Sequence, residues 1–190
     1  MTGNNGLSRE AQQYAARFCS ILNTMIDGMT CAELTDSISH NFIVQMIPHH
    51  EAAIEMSRNL LQYPTITPLQ SIAENIISSQ TKSIADMKAA YAGCSELCNT
   101  GRELTLYQNC FRRITRTMFT QMGNAKMTNQ INADFMREMI PHHMGAIRMS
   151  RNALRFPICP ELKPILDAII VSQTRGVREM ETLLRQISCC

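Results

Sequence analysis

The sequence predicts an all-α protein made of two tandem three-helix repeats. The chain resembles itself without gaps at an offset of 93 residues, and roughly a third of paired positions between residues 9–97 and 102–190 are identical. Apolar residues recur at helical spacing within each repeat, whereas no stretch shows the sustained period-two alternation of a half-buried strand. A fixed long period of this kind is typical of duplicated supersecondary units.

The spacing of the repeats predicts one fused unit rather than two separate domains. Only the short spacer Asn99-Thr100-Gly101 stands between them, and 190 residues are enough to bury one sizeable core. Three amphipathic helices alone leave apolar surface exposed, which fusion with a second copy would cover. We therefore predict a single domain over residues 1–190, with the repeats 9–97 and 102–190 related by a pseudo-two-fold axis.

The helices follow from apolar periodicity and from capping signals. Gly28 is predicted to end the first helix, and Ser39 to cap the second helix at its N-terminus. Asn132 takes the matching place in the second repeat. The predicted helices are about 9–27, 39–61, 69–91, 102–122, 132–154 and 161–187.

One proline falls within the second helix of each repeat, at Pro48 and Pro141. Proline removes an amide donor and clashes with the preceding turn of a helix. We predict that both prolines lie inside, or at a break in, long helices, with a local kink beside the following residues. The alternative is that each helix begins at its proline, where proline is well tolerated.

Composition excludes several classes of function. The net charge is +2 with both signs intermixed, and tryptophan is absent, so we expect no nucleic-acid partner. No apolar run approaches the roughly 20 residues that a membrane-spanning helix needs. The N-terminus lacks a basic segment followed by an apolar one, which predicts a cytoplasmic protein, or an exported one if a signal peptide was removed. Self-association into a homo-oligomer stays open.

Eight cysteines form no Cys-x-x-Cys pattern, and none recurs at the 93-residue offset. A disulfide framework older than the duplication would have been repeated, so we favour reduced thiols. An even number of cysteines still permits disulfides in an oxidising compartment. The terminal pair Cys189-Cys190 is interpreted as a frayed end of the chain.

The motif Met-Ile-Pro-His-His occurs twice, at 46–50 and 139–143, and it contains four of the five histidines. At about 100° per residue, the first histidine of each motif shares a helical stripe with two methionines, and the second lies on the neighbouring stripe. Imidazole and thioether groups on one face predict a metal site where helices two and five meet. The candidate ligands are Met46, His49, His50 and Met56 in the first repeat, and Met139, His142, His143 and Met149 in the second.

Glutamine and methionine recur on the third helix of each repeat. His49 and Gln80 lie about fifteen residues before and after the turn at Pro64, so antiparallel helices would place them at the same level. Metal-binding histidines normally need a partner that fixes which ring nitrogen is free, and Gln80 could serve. The predicted supporting residues are Gln80, Met87, Gln173 and Met180.

Repeated soft ligands without repeated carboxylates favour copper, as Cu(I), or Ag(I) over Mg, Ca or Mn. Glu51 and Glu55 become Met144 and Arg148 in the second repeat. Di-iron bundles need paired carboxylates, so a ferritin-like redox enzyme is the third choice. Since no nucleophile–base pair, phosphate loop or dinucleotide motif is present, we predict a non-enzymatic copper-binding or copper-buffering protein.

The alternative is a structural or partner-binding bundle whose histidines and methionines are core residues. Methionine at helical spacing often only fills a core. The fifth histidine, His40, is not repeated, because the equivalent position of the second repeat is Ala133, and we expect His40 to be solvated.

The pattern Phe-x-x-x-Met-Ile-Pro-His-His-x-x-Ala-Ile-x-Met spans residues 42–56 and recurs at 135–149, and each copy is followed by Gln and Met further along the chain. It resembles the bacterial domain of unknown function family number 305 over nearly the whole chain. The resemblance implies a ferritin-like helical bundle, and copper binding in some relatives. The family often has glutamate three residues after the glutamine, where this chain has Ser83 and Gly176.

Overall fold

The computed structural model describes residues 6–94 and 97–188. Within these ranges the chain forms six helices and no strand, which confirms the predicted all-α class. The helices are α1 (Arg9–Thr30), α2 (Ile38–Leu60), α3 (Thr67–Cys94), α4 (Gly101–Gly123), α5 (Ile131–Ala153) and α6 (Leu162–Ser188). The Cys189-Cys190 pair lies outside the described residues.

The two halves repeat the same contacts, as the internal duplication predicts. The Asn59 side-chain amide in α2 donates to the main-chain carbonyl of Tyr14 in α1, at 3.2 Å. Its counterpart Asn152 in α5 donates to the carbonyl of Tyr107 in α4, at 3.1 Å. Each half is therefore a three-helix unit of one design, and the halves are related by a pseudo-two-fold axis.

Helices α2 and α5 lie at the centre of the bundle. α2 packs against α1 and α3 of its own half and against α5, while α5 packs in the same way against α4, α6 and α2. α3 and α6 also pack against each other, and α1 makes a smaller contact with α4, so the halves meet mainly along α2–α5 and α3–α6. Because of this central position, α2 and α5 bury side chains around most of their circumference.

Pro48 and Pro141 lie inside α2 and α5, so the alternative that each helix begins at its proline is wrong. Gly28 lies opposite Pro48, and a Cβ atom at Gly28 would come 2.8 Å from the Pro48 Cβ. α1 continues beyond this glycine to Thr30, contrary to the predicted end. Gly28 is thus required for close packing of α1 on α2, and it does not end its helix.

The N-terminal caps also differ from the prediction. Ser37, and not Ser39, caps α2, because its hydroxyl accepts the amide of His40. Ser39 instead accepts the main-chain amide of Cys159 at 2.9 Å, in the connection before α6. Asn132 plays the matching part before α3, where it accepts the amide of Ile66 at 3.1 Å. Both residues therefore join the start of one half's central helix to the other half.

Cys94 and Cys159 form a disulfide, which corrects the expectation of reduced thiols for this pair. The bond joins the end of α3 in the first half to the connection before α6 in the second. At the symmetry-related place the chain has Ile66 and Ile187, which line one pocket. A disulfide that joins the two repeats does not require cysteines at equivalent positions of both. The absence of cysteines repeated at the 93-residue offset therefore did not exclude this bond.

None of the helices within the described ranges is both long enough and apolar enough to cross a membrane.

Candidate metal centre

Four histidines from the two motifs meet where α2 crosses α5. The imidazole rings of His49 and His142 stack with their centroids 3.7 Å apart and their planes 24° from parallel. His50 and His143 flank this pair, each with its ring centroid 5.8 Å from that of its neighbour in sequence. All four side chains are at most 2% exposed. The structure therefore brings the two motifs together in the interior of the protein.

A main-chain contact orients the central pair. The Nε2 atom of His142 lies 3.1 Å from the carbonyl oxygen of His49. Because a carbonyl only accepts, Nε2 carries the hydrogen and Nδ1 of His142 presents its lone pair. This Nδ1 atom has no hydrogen-bond partner among the described residues, and the same is true of Nδ1 in His49 and in His50.

Burial keeps these imidazoles neutral. Loss of hydration lowers the pKa of His50 to about 3 and that of His142 to about 4. Desolvation, followed by repulsion from His142, also holds the pKa values of His49 and His143 well below the usual range. Neutral imidazole is the form that binds a metal ion.

The two outer histidines have different neighbours on α3 and α6. Nε2 of His50 lies 3.1 Å from the hydroxyl oxygen of Ser83. The counterpart of Ser83 is Gly176, where a Cβ atom would come 3.1 Å from Cδ2 of His143. The hydroxyl on one side therefore has no counterpart on the other, where the His143 ring lies close to the Gly176 backbone. The sequence carried no local signal for the Ser83 contact, since the two residues stand on different helices.

Gln80 and Gln173 do not make the predicted contacts to imidazole. Both are 3% exposed. Neither polar atom of the Gln80 amide, nor the oxygen of the Gln173 amide, has a partner in the part of the chain that the structure describes. The His49 carbonyl and Ser83 hold histidines in the way that the glutamines were expected to.

The candidate methionines are buried with the histidines. Each is at most 1% exposed, and all belong to one continuous apolar core. This places their thioethers in the same interior as the imidazoles, but it equally suits a role in packing. They are Met46, Met56 and Met87 in the first half, and Met139, Met149 and Met180 in the second.

A buried acid next to the cluster is a feature that the sequence did not predict. Glu138 is 0% exposed and accepts a hydrogen bond of 2.5 Å from the Tyr14 hydroxyl. Burial raises the pKa of Glu138 well above its usual range, and it raises that of Tyr14 as well. At the matching place Gln45 donates instead to the carbonyl of Met29, at 3.1 Å. The acid is thus confined to one half.

His40 is buried and not solvated as predicted. It is 8% exposed, its ring centroid lies 5.2 Å from that of Tyr91, and Nε2 lies 3.3 Å from the carbonyl oxygen of Glu33. Its contacts are with Tyr91 and Glu33, which lie outside the two motifs.

Compact groups of three ligand atoms are rare in this structure. Over the described ranges, one set of His, Cys, Asp or Glu side chains brings three such atoms within 4.8 Å of one another: Cys94, Cys159 and Glu161. The disulfide occupies both of those sulfurs, so this set is not a metal site. The histidine cluster offers closely spaced pairs of rings, with unpartnered nitrogens, rather than a closed cage.

The comparisons with known proteins agree with the duplication. A family model described as Domain of unknown function (DUF305) matches residues 7–92 and again residues 95–184. The chain belongs to the DUF305 family. It carries two copies of the domain, which confirms the resemblance drawn from the motifs.

A solved structure supports the fold of this DUF305 protein. The crystal structure of a DUF305 fragment from Deinococcus radiodurans is similar to it, with a TM-score of 0.58 and 22% sequence identity. The match covers 78% of this chain and 96% of the fragment. No curated protein matches the chain. These likenesses establish the family and the fold.

Proposed function

We propose that this protein is a non-enzymatic binder or buffer of a soft metal ion, with Cu(I) favoured, at the crossing of α2 and α5. The observation that carries the proposal is the set of unpartnered Nδ1 atoms on His49, His50 and His142. Buried polar atoms in folded proteins nearly always have a partner, so several together need an explanation. A bound cation would use these lone pairs.

The surrounding groups favour a soft ion over a hard one. Neutral imidazoles and buried thioethers suit Cu(I), whereas Mg, Ca and Mn need carboxylates and other oxygens. The buried acid Glu138 is engaged by the Tyr14 hydroxyl and has the amide of Gln45 as its counterpart. A paired-carboxylate site of the di-iron type is therefore not supported by these residues.

A second candidate is a bundle in which the histidines only pack. The stacking of His49 on His142 at 3.7 Å favours it, because rings in such close contact already fill the crossing. The contact of His142 with the His49 carbonyl satisfies one further nitrogen without any ion. The two candidates differ in whether the free nitrogens have a ligand in solution.

The test is an anaerobic titration with Cu(I) against a competing chelator. We expect His49→Ala combined with His142→Ala to abolish tight binding while helix content, measured by circular dichroism, stays largely unchanged. The double Leu variant at the same positions fills the space and removes only the nitrogens, so it separates ligation from packing. His40→Ala is the matched control, because it removes a buried histidine outside the motifs. If the double variants bind as tightly as the parent, the histidines are core residues.

A further inference from the structure

A pocket of about 230 Å³ lies between α3 and α6 and reaches the histidine cluster. Its lining includes His50 and His143, which belong to the cluster, and Gln80 and Gln173, which stand on the two outer helices. These four side chains are at most 3% exposed. The inner end of the pocket is therefore polar and buried, and it contacts one histidine from each half.

The two carboxamides have unused hydrogen-bonding capacity at this inner end. The Oε1 atoms of Gln80 and Gln173 both lack a partner among the residues that the structure describes, as does Nε2 of Gln80. An amide buried without a partner loses its hydration and gains nothing in return. A ligand passing through or resting in the pocket would recover that loss. Oxygen is a poor ligand for a soft ion, so carboxamide oxygens would replace part of its hydration shell and still release it readily to imidazole.

The outer end of the pocket is charged but balanced. Lys82 pairs with Asp86 at 2.6 Å on α3, and Arg175 pairs with Glu179 at 3.8 Å on α6. The side chains of these four residues are 41–76% exposed, so the outer end stands in solvent. Since each cation has an acid beside it, this end does not carry excess positive charge that would repel a metal ion.

The two halves differ at one position of the pocket lining. Ser83 contacts His50, whereas Gly176 leaves His143 without the corresponding side chain. Any larger residue at Gly176 would press on the imidazole, because even its Cβ would lie 3.1 Å from Cδ2 and 3.3 Å from Nε2. The absence of a side chain thus lets the His143 ring lie against the backbone of α6 at the inner end of the pocket.

We propose that the α3–α6 pocket is the entrance through which a soft monovalent cation reaches and leaves the histidines. The Gln80 and Gln173 oxygens form a transient cation site on the way, and His50 and His143 receive the cation at the inner end. This inference rests on the proposed metal binding, which it deepens by assigning the route. A cation would exchange hydration water for the carboxamide oxygens and then these for imidazole nitrogen.

The experiment measures the rates of Cu(I) transfer in both directions, by stopped-flow mixing with a chelator that changes absorbance on copper loss. In Ala168→Phe, which places a large side chain at an exposed position of the pocket lining, we expect the association and dissociation rates to fall together by about tenfold, with an almost unchanged Kd, because an obstructed route does not alter the end states. The double variant Gln80→Leu with Gln173→Leu removes the transient site without narrowing the pocket, and it should slow both rates as well. Ala89→Phe is the matched control, since Ala89 is exposed and does not line the pocket.

The outcomes separate the route from the site. If the parent protein fails to bind Cu(I), the proposed function itself fails. If the parent binds and both the Ala168 and glutamine variants exchange as fast as the Ala89 control, the entrance lies elsewhere. A change in dissociation alone, with a matching change in Kd, would make Ala168 and the glutamines part of the bound state and would also overturn the route. Circular dichroism of each variant shows that it is folded before its rates are compared.

Discussion

Equivalent residues of the two repeats have acquired different chemistry. Glu138 binds the Tyr14 hydroxyl, whereas Gln45 at the matching position binds the carbonyl of Met29. The histidines themselves could be predicted from their repeated motif and their helical stripe. The partner of His50 could not, because Ser83 stands 33 residues away on another helix, and its place is set by how α3 packs on α2.

The buried imidazoles predict a particular dependence of stability on pH. The folded-state pKa values of His50 (about 3) and His142 (about 4) lie below the unfolded value of about 6.5. Their contribution to stability is therefore complete above pH 6.5 and is lost as the pH falls toward 4, at roughly 1.4 kcal/mol per unit for each group. In the metal-free Glu138→Gln variant, we expect the free energy of unfolding to fall by about 3 kcal/mol or more between pH 6.5 and pH 4.5. Urea titrations at a series of pH values measure this free energy.

Glu138 is replaced because its pKa is raised and acts in the opposite sense. Its contribution is complete below about pH 4.5 and is lost as the pH rises, so it masks part of the histidine effect in the parent. Adding His49→Leu and His142→Leu to the Glu138→Gln background should reduce the slope. An unchanged stability over this range in the Glu138→Gln variant would show that the histidines are hydrated in solution.

At the scale of the helices, the interior of each element was predictable and its ends were not. Six helices follow from apolar spacing that is local in sequence. Ser39 and Asn132 have the side chains of good caps, but Ser39 binds the amide of Cys159 and Asn132 binds that of Ile66. These contacts are made across the interface between halves, which local sequence patterns do not report.

The close approach of α1 to α2 predicts opposite effects for two glycine substitutions. Gly28→Ala should lower the free energy of unfolding by about 1–3 kcal/mol, because its Cβ would overlap the Pro48 ring atoms in a packed interface. Gly93→Ala should instead raise it by about 0.5–1 kcal/mol, since alanine is the better helix former and the space there is open. Urea unfolding at neutral pH measures both, and stabilisation by Gly28→Ala would mean that α1 and α2 stand further apart than in this structure.

At the scale of the whole molecule, the halves are joined mainly along α2–α5 and α3–α6, and by the disulfide between Cys94 and Cys159. The duplication, the three-helix units and the meeting of the motifs were all visible in the sequence. The disulfide was not visible, because Cys94 and Cys159 are 65 residues apart and neither cysteine recurs at the equivalent position of the other repeat. Only the packing of one half on the other brings them together.

The disulfide predicts a large effect of reduction on stability. Closing a loop of this length should stabilise the protein by about 4 kcal/mol through loss of freedom in the unfolded chain. We expect Cys94→Ser with Cys159→Ser to lower the melting temperature and to remove its dependence on a reducing agent. Cys31→Ser is the control, since Cys31 is exposed and outside the disulfide, and it should melt like the parent. If the melting temperature of the parent protein is the same with and without reductant, the disulfide is not formed.

The difference between Ser83 and Gly176 has a consequence for how such a protein can evolve. Two identical single-repeat chains, assembled as a dimer, would carry the same residue on both sides, so every substitution would occur twice. Once the copies share one gene product, a mutation alters a single side, and the other can keep the original chemistry. The two repeats of the fused chain can therefore diverge in their chemistry, which two identical chains in a symmetric dimer cannot do.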